Sequence, residues 1–219
     1  MISINTNTAS TAAAYNLTNT NANLQKSLNR LSSGNRITSS SDDAGGLAVS
    51  MKMSAAIRRT DATSTNVGNA LSFLQTQDGV LKNADSILNR MSELATLATD
   101  VTKTTGDLAL YQTEYTALSS QLSAMTNEEF NGIGLFGGGS LTVRTSEDSS
   151  QSVSITTSNL SSVQTSVAGE TIGSNTAAAA AISTISAAIE TLANQRATNG
   201  SEQSRLTFAA DMLSINKAN

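Results

Sequence analysis

No proline interrupts the 219 residues. Proline breaks helix interiors by removing a donor and crowding the preceding turn, so a chain this long without one is free to run long helices. Its apolar residues are spaced for them. Leu17, Leu24, Leu28 and Leu31 recur at intervals of 7, 4 and 3 residues, the a/d seam of a coiled coil. This predicts a helix over about 5–33, with Gly34 as its C-cap. Upstream of Leu17 the seam decays into Ala and Thr, which predicts weak stability there.

Asp42 and Asp43 stand where an N-cap belongs. From there a helical pattern runs to about Asp100. Val67, Leu71, Leu74, Leu81 and Leu88 hold heptad spacing, and Ile87, Met91, Leu94 and Ala98 form a shifted stripe. A helix of about 55 residues is about 80 Å long. The pattern predicts a break near Arg58–Thr65. Met53 lies one turn from Ile57 and Met91 one turn from Ile87, and both Met residues read as core filler. A third helix, over about 107–128, has the cleanest seam, Tyr111, Tyr115, Leu118, Leu122 and Met125 at 4-3-4-3 spacing. It is expected to fold back on the second across a short loop, Thr102 to Gly106.

The period then changes. Asn131-Gly132 and Gly137-Gly138-Gly139 are turn chemistry, the glycine run reading as a hairpin turn. Leu141–Thr145 and Ser152–Thr157 alternate apolar and polar residues, as paired strands do. Residues 158–175 fit no single element. A last helix starts near Thr176, with Ile182, Ile185, Ile189 and Leu192 on one stripe, Arg196 interrupting it, and Leu206, Ala210 and Leu213 resuming it. The expected fold is mainly α: an elongated antiparallel helical bundle or coiled coil with a small β-hairpin insert. The expected division is an N-terminal helix and its polar connector over 1–43, and a rod-like helical domain over 44–219 with the hairpin at about 130–157.

Composition excludes much chemistry. The chain has no Cys, no His and no Trp. That removes thiolate nucleophiles, imidazole bases, Ser-His-Asp triads and ordinary transition-metal cages. The net charge of −4 is dispersed, which leaves neither a nucleic-acid footprint nor a basic membrane patch. No run of the sequence reads as a membrane span. The polar start, Met1-Ile2-Ser3-Ile4-Asn5-Thr6-Asn7, is not a cleavable secretory signal. Asp42-Asp43 and Glu128-Glu129 read as capping and solvated residues rather than catalytic dyads, since adjacent residues do not share a helix face. No catalytic, cofactor or metal site is expected. One constellation stands out, Arg90, Glu93 and Leu94 on adjacent turns with Glu114 on the partner helix. From pattern alone it is either a solvated face with a stray surface Leu or a contact site.

The run Leu31-Ser32-Ser33-Gly34-Asn35-Arg36-Ile37-Thr38-Ser39, followed by Asp42-Asp43-Ala44-Gly45-Gly46-Leu47-Ala48-Val49-Ser50, closely resembles the N-terminal signature of bacterial flagellin. Phe130-Asn131-Gly132 matches the family motif that precedes its β region. Ala193-Asn194-Gln195-Arg196, continuing to Ser204-Arg205-Leu206, is similar to the start of its C-terminal region. The resemblance covers 1–145 and about 176–219, and 146–175 stand in for the variable outer domains of larger members. It implies a non-enzymatic subunit of the extracellular flagellar filament, exported unfolded through the flagellar type III machinery and built for motility by self-association. Leu17, Leu24, Leu28 and Leu31 are then the self-association seam. A second implied partner is a Toll-like innate immune receptor, with contacts that fall by motif on Arg90, Leu94 and Glu114. The family continues past Ser214-Ile215-Asn216-Lys217-Ala218-Asn219 with a further helix, which this sequence is expected to lack. Two alternatives are a soluble, non-assembling receptor ligand and a hook–filament junction protein. The Asp42-Asp43-Ala44-Gly45-Gly46-Leu47-Ala48 run favours flagellin over the latter.

Overall fold

The computed structural model describes residues 7–219. Its elements run in order α1 (Thr8–Ser33), α2 (Ala44–Ala98), α3 (Thr105–Met125), β1 (Glu129–Phe130), β2 (Ile133–Gly134), β3 (Ser140–Arg144), β4 (Ser152–Thr156), α4 (Leu160–Ala168) and α5 (Asn175–Ala218). The fold is mainly α, as the seams predict, and carries two small antiparallel strand pairs where the sequence suggests one hairpin. The first two residues of the expected 5–33 helix lie outside the described residues. The chain forms two compact units, Met1–Ile57 and Arg58–Asn219. The division falls inside α2, whereas the sequence suggests a boundary at the Asp43 cap.

In the first unit, Asn7 caps α1 by accepting the Ser10 backbone N–H at 3.3 Å, and Gly34 ends the helix in the left-handed region at φ 68°. The connector that follows is organised by two carboxylates. Asp42 contacts the Lys26 ammonium at 2.5 Å and the Arg30 guanidinium at 3.7 Å, and accepts the Thr38 hydroxyl at 3.1 Å. Asp43 caps α2 by accepting the Gly46 backbone N–H at 2.7 Å. A Cβ on residue 46 would collide with that same carboxylate, so only glycine allows the approach.

In the second unit, α5 runs antiparallel to α2. Asn175 Nδ2 donates to the carbonyls of Ala98 and Asp100, both at 3.0 Å. Arg196 meets Asp78 at 3.1 Å, and Lys217 meets Asp61 at 2.6 Å. Between them lie buried Val67, Leu74, Leu81, Leu88, Ile185, Leu192, Leu206 and Leu213. α3 starts with a capping box, Thr104 with Asp107, and contributes Tyr115, Leu122 and Met125 to the core. α4 lies against α3 and α5, with the Tyr115 hydroxyl donating to the Val167 carbonyl at 3.0 Å. β3 and β4 pair with Leu141 opposite Ile155 and Val143 opposite Val153. β4 is tied to α5 by Glu202, which accepts the Thr156 N–H and hydroxyl at 2.9 and 2.8 Å.

Several expectations need correction. α2 is continuous through Arg58–Thr65, because Thr60, Thr63 and Val67 turn inward and are buried, and packing overrides propensity. α3 ends at Met125, three residues before the expected limit. Gly137-Gly138-Gly139 is a connector rather than a hairpin turn. Gly139 already pairs with Thr157, both donating to it through its N–H and accepting Thr157 N–H on its carbonyl at 2.7 and 2.9 Å. The undecided 158–175 stretch contains α4. Finally, α5 does hold one window long and apolar enough to cross a membrane by length and composition. Ala178, Ala181, Ile185, Ala188 and Leu192 are nevertheless buried in the protein core.

Candidate interaction surfaces

No residue of α1 is buried. Leu17, Leu24, Leu28 and Leu31 are 64, 55, 53 and 81% exposed. A leucine seam of this kind is ordinarily half of an interface, since burying each Leu is worth about 1.5–3 kcal/mol. Sequence reasoning missed a second exposed apolar set, near the start of α2. Val49, Met51, Met53 and Ile57 are all exposed, which corrects the reading of Met53 as core filler, whereas Met91 is buried in the core as that reading expects. The available signal was their position beside the Gly45-Gly46 pair, where little else can build a core.

The Arg90 constellation assembles in part. Successive turns of α2 place Arg90 and Glu93 together, and α3 brings Glu114 to the same spot. The Arg90 guanidinium donates from Nε to Glu114 at 2.8 Å and from Nη1 to Glu93 at 2.6 Å. Glu114 first and Glu93 second push its pKa further above the usual guanidinium range. Both carboxylates and the arginine remain open to solvent. Leu94 does not join them. It is 0% exposed, packed in the core with Met91 and Ala98, which corrects its reading as a surface residue. The reason is its stripe: Leu94 lies three residues from Met91 and four from Ala98, all facing inward.

A third feature was not foreseen. Phe73 of α2 and Phe130 of β1 meet edge to face, ring centroids 5.9 Å apart. Together with Ile133, Leu141, Val143 and Ile155 they line an open apolar groove of about 500 Å³. The alternation in β3 and β4 signalled an apolar face, but no local pattern says that α2 leaves it partly uncovered. A second unforeseen stripe, Phe208, Met212 and Ile215, is exposed on α5, about two residues out of phase with the buried Leu206 and Leu213.

Among the described residues no group of His, Cys, Asp or Glu is arranged to hold a metal ion. Asp42 titrates low, its carboxyl held at about 2 chiefly by the hydrogen bond from Lys26, with Thr38 adding to it. These surfaces offer apolar contact and ion pairing.

The family described as the bacterial flagellin N-terminal helical region matches residues 4–141. A flagellin of Halalkalibacterium halodurans is 34% identical over 187 residues, covering 83% of this chain and 69% of that protein. A flagellin of Clostridium tyrobutyricum is 35% identical over 156 residues, covering 71% of this chain but 41% of that protein. The chain thus matches less than half the length of the clostridial relative. The crystal structure of Bacillus cereus flagellin shares the fold, with a TM-score of 0.62 at 24% identity, covering 68% of this chain and 88% of that one.

Proposed function

Because the chain belongs to the bacterial flagellin family, we propose that it acts as a structural subunit of the extracellular flagellar filament, assembling with copies of itself and performing no catalysis. The observation that carries this reading is the exposed Leu17, Leu24, Leu28 and Leu31 seam, on a helix with no buried residue among those described. A helix of this kind gains its stability from a partner rather than from its own fold. Repeating one heterologous contact from copy to copy gives an open filament when the rotation does not close. Export through the flagellar machinery as an unfolded thread suits a chain with no Cys to cross-link. Seeding the purified chain with filament fragments and following elongation by electron microscopy tests the reading. Elongation supports it, and a monomer that never adds to the seeds counts against it.

A second reading, recognition by a Toll-like innate immune receptor, is favoured by one observation. Arg90 and Glu114 converge on an accessible face. Arg90 would serve as the anchor through its planar fork, after exchanging Glu93 or Glu114 for a receptor carboxylate. Leu94 would contribute from beneath, as packing. Loss of binding to an immobilised receptor ectodomain on Arg90→Ala supports this reading, and unchanged binding removes it.

A further inference from the structure

The sequence holds two Asn-Gly pairs, Asn131-Gly132 and Asn199-Gly200, and the fold puts them in opposite situations. Asn131 is exposed at the tip of the β1–β2 hairpin, with φ 52° at Asn131 and 77° at Gly132, the positive-φ pair of a tight two-residue turn. The strands behind it are two residues each, pairing only Glu129 with Gly134 and Phe130 with Ile133. A two-stranded ribbon this short holds its turn weakly. Gly132 has nothing within 4 Å of where a Cβ would stand, so no side chain packs over that face of the turn. Asn199 is the reverse. It is buried in the middle of α5, with Nδ2 donating to the Leu74 carbonyl at 3.1 Å and to Gln77 Oε1 at 2.7 Å, and with Oδ1 accepting from Gln203.

We propose that Asn131 is a site of spontaneous deamidation in the folded protein, and that the fold shields Asn199 from the same reaction. The Gly132 backbone nitrogen attacks Asn131 Cγ and gives up its proton to solvent base. The tetrahedral carbon expels the side-chain nitrogen as ammonia, closing a five-membered succinimide. Water then opens the ring at either carbonyl, leaving aspartate or isoaspartate at 131. The net change consumes one water and releases one ammonia, with no oxidant or cofactor. Glycine makes the attack accessible because no side chain hinders its nitrogen. The reaction needs the closed turn to open, which at Asn131 breaks only the short β1–β2 pairing. At Asn199 it needs the centre of α5 unwound and a buried amide stripped of its partners. Local opening spans from nearly free at loop tips to the full unfolding free energy in the core.

The product matters to the surface it sits on. A carboxylate at 131 adds charge beside Glu128 and Glu129. Isoaspartate adds a methylene to the main chain, so the two-residue turn can no longer close, and Phe130 loses its hold on Phe73 in the groove wall.

The test is peptide mapping by mass spectrometry after incubating the full chain at 37 °C and pH 8, natively and in urea. In the native sample the peptide holding Asn131 gains about one mass unit and resolves into aspartate and isoaspartate forms, at least about tenfold faster than the peptide holding Asn199. In urea the two rates converge, which shows that the fold makes the difference. Equal native rates, or a native Asn131 that stays unmodified while the urea sample reacts, overturn the proposal. So does a urea sample in which Asn131 is still spared.

Discussion

Asn199 of α5 donates its side-chain amide to Gln77 of α2 at 2.7 Å, and both side chains are buried, 2% and 0% exposed, in a mainly apolar seam. Gln77 in turn donates to the Leu135 carbonyl at 2.6 Å, and Gln203 donates to Asn199. Every member of this ladder is satisfied, so the cost of removing one falls on those left behind. Asn199→Leu strands Gln77 Oε1 and takes from Gln203 its shortest acceptor, with an expected loss of about 2–3 kcal/mol. The Gln77→Leu/Asn199→Leu double variant loses less than the sum of the singles. Urea unfolding of the four proteins gives the coupling directly.

Leu94 is a core residue, so Leu94→Ala should cost about 2–5 kcal/mol. Arg90→Ala should leave the melting temperature nearly unchanged, because its ion pairs are exposed and screened. Thermal melts separate the two variants. Any loss of receptor binding in Leu94→Ala would then report on the fold, whereas a loss in Arg90→Ala would report on contact.

Tyr115 should ionise well above the ordinary range of a phenol. Burial, aided by Glu170, pushes its phenol up to about 12. An acid whose folded pKa is raised favours the folded state while protonated. Its contribution is whole below the unfolded value near 10 and is lost between about 10 and 12. Absorbance titration near 295 nm should show a late step that Tyr115→Phe removes. That variant also forfeits the hydrogen bond to Val167, worth about 1 kcal/mol.

Asp42 behaves in the opposite sense. Its carboxyl, held at about 2 by Lys26 and Thr38, binds the connector to α1 while ionised. Its contribution is present above the ordinary value of 3.8 and fades as pH falls toward about 2. Acid titration of α1 followed by NMR should show the end near Lys26 and Arg30 loosening over that window. Asp42→Asn should be loose throughout and flat with pH.

The helices were legible because their signal is periodic. Val67, Leu74, Leu81 and Leu88 announce one face, and all four are buried. Strands β3 and β4 were legible for the same reason at period two. The continuity of α2 past Arg58 was not, since it rests on inward-facing Thr60 and Thr63, polar residues that look solvent-bound in sequence. Arg196, read as an interruption of a stripe, is the α5 partner of Asp78, a pairing 118 residues distant. Of the surface residues, the α1 leucines and Arg90 with Glu114 stand where their spacing suggests. Leu94 admitted two readings, in the shifted stripe with Met91 and Ala98 or on the surface beside Arg90 and Glu93, and the stripe is the one that holds, since Met91 and Ala98 face inward with it. The groove at Phe73 and Phe130 depends on how two hairpins sit on a helix, which local pattern does not encode.

The central claim is that exposed leucines of α1 drive self-association, and seeded elongation of the chain beside its Leu24→Asp/Leu28→Asp variant tests it most directly. The account predicts that the variant melts like the parent, since both positions are exposed, while the parent adds to filament seeds and the variant does not. Equal elongation by the two proteins would contradict it.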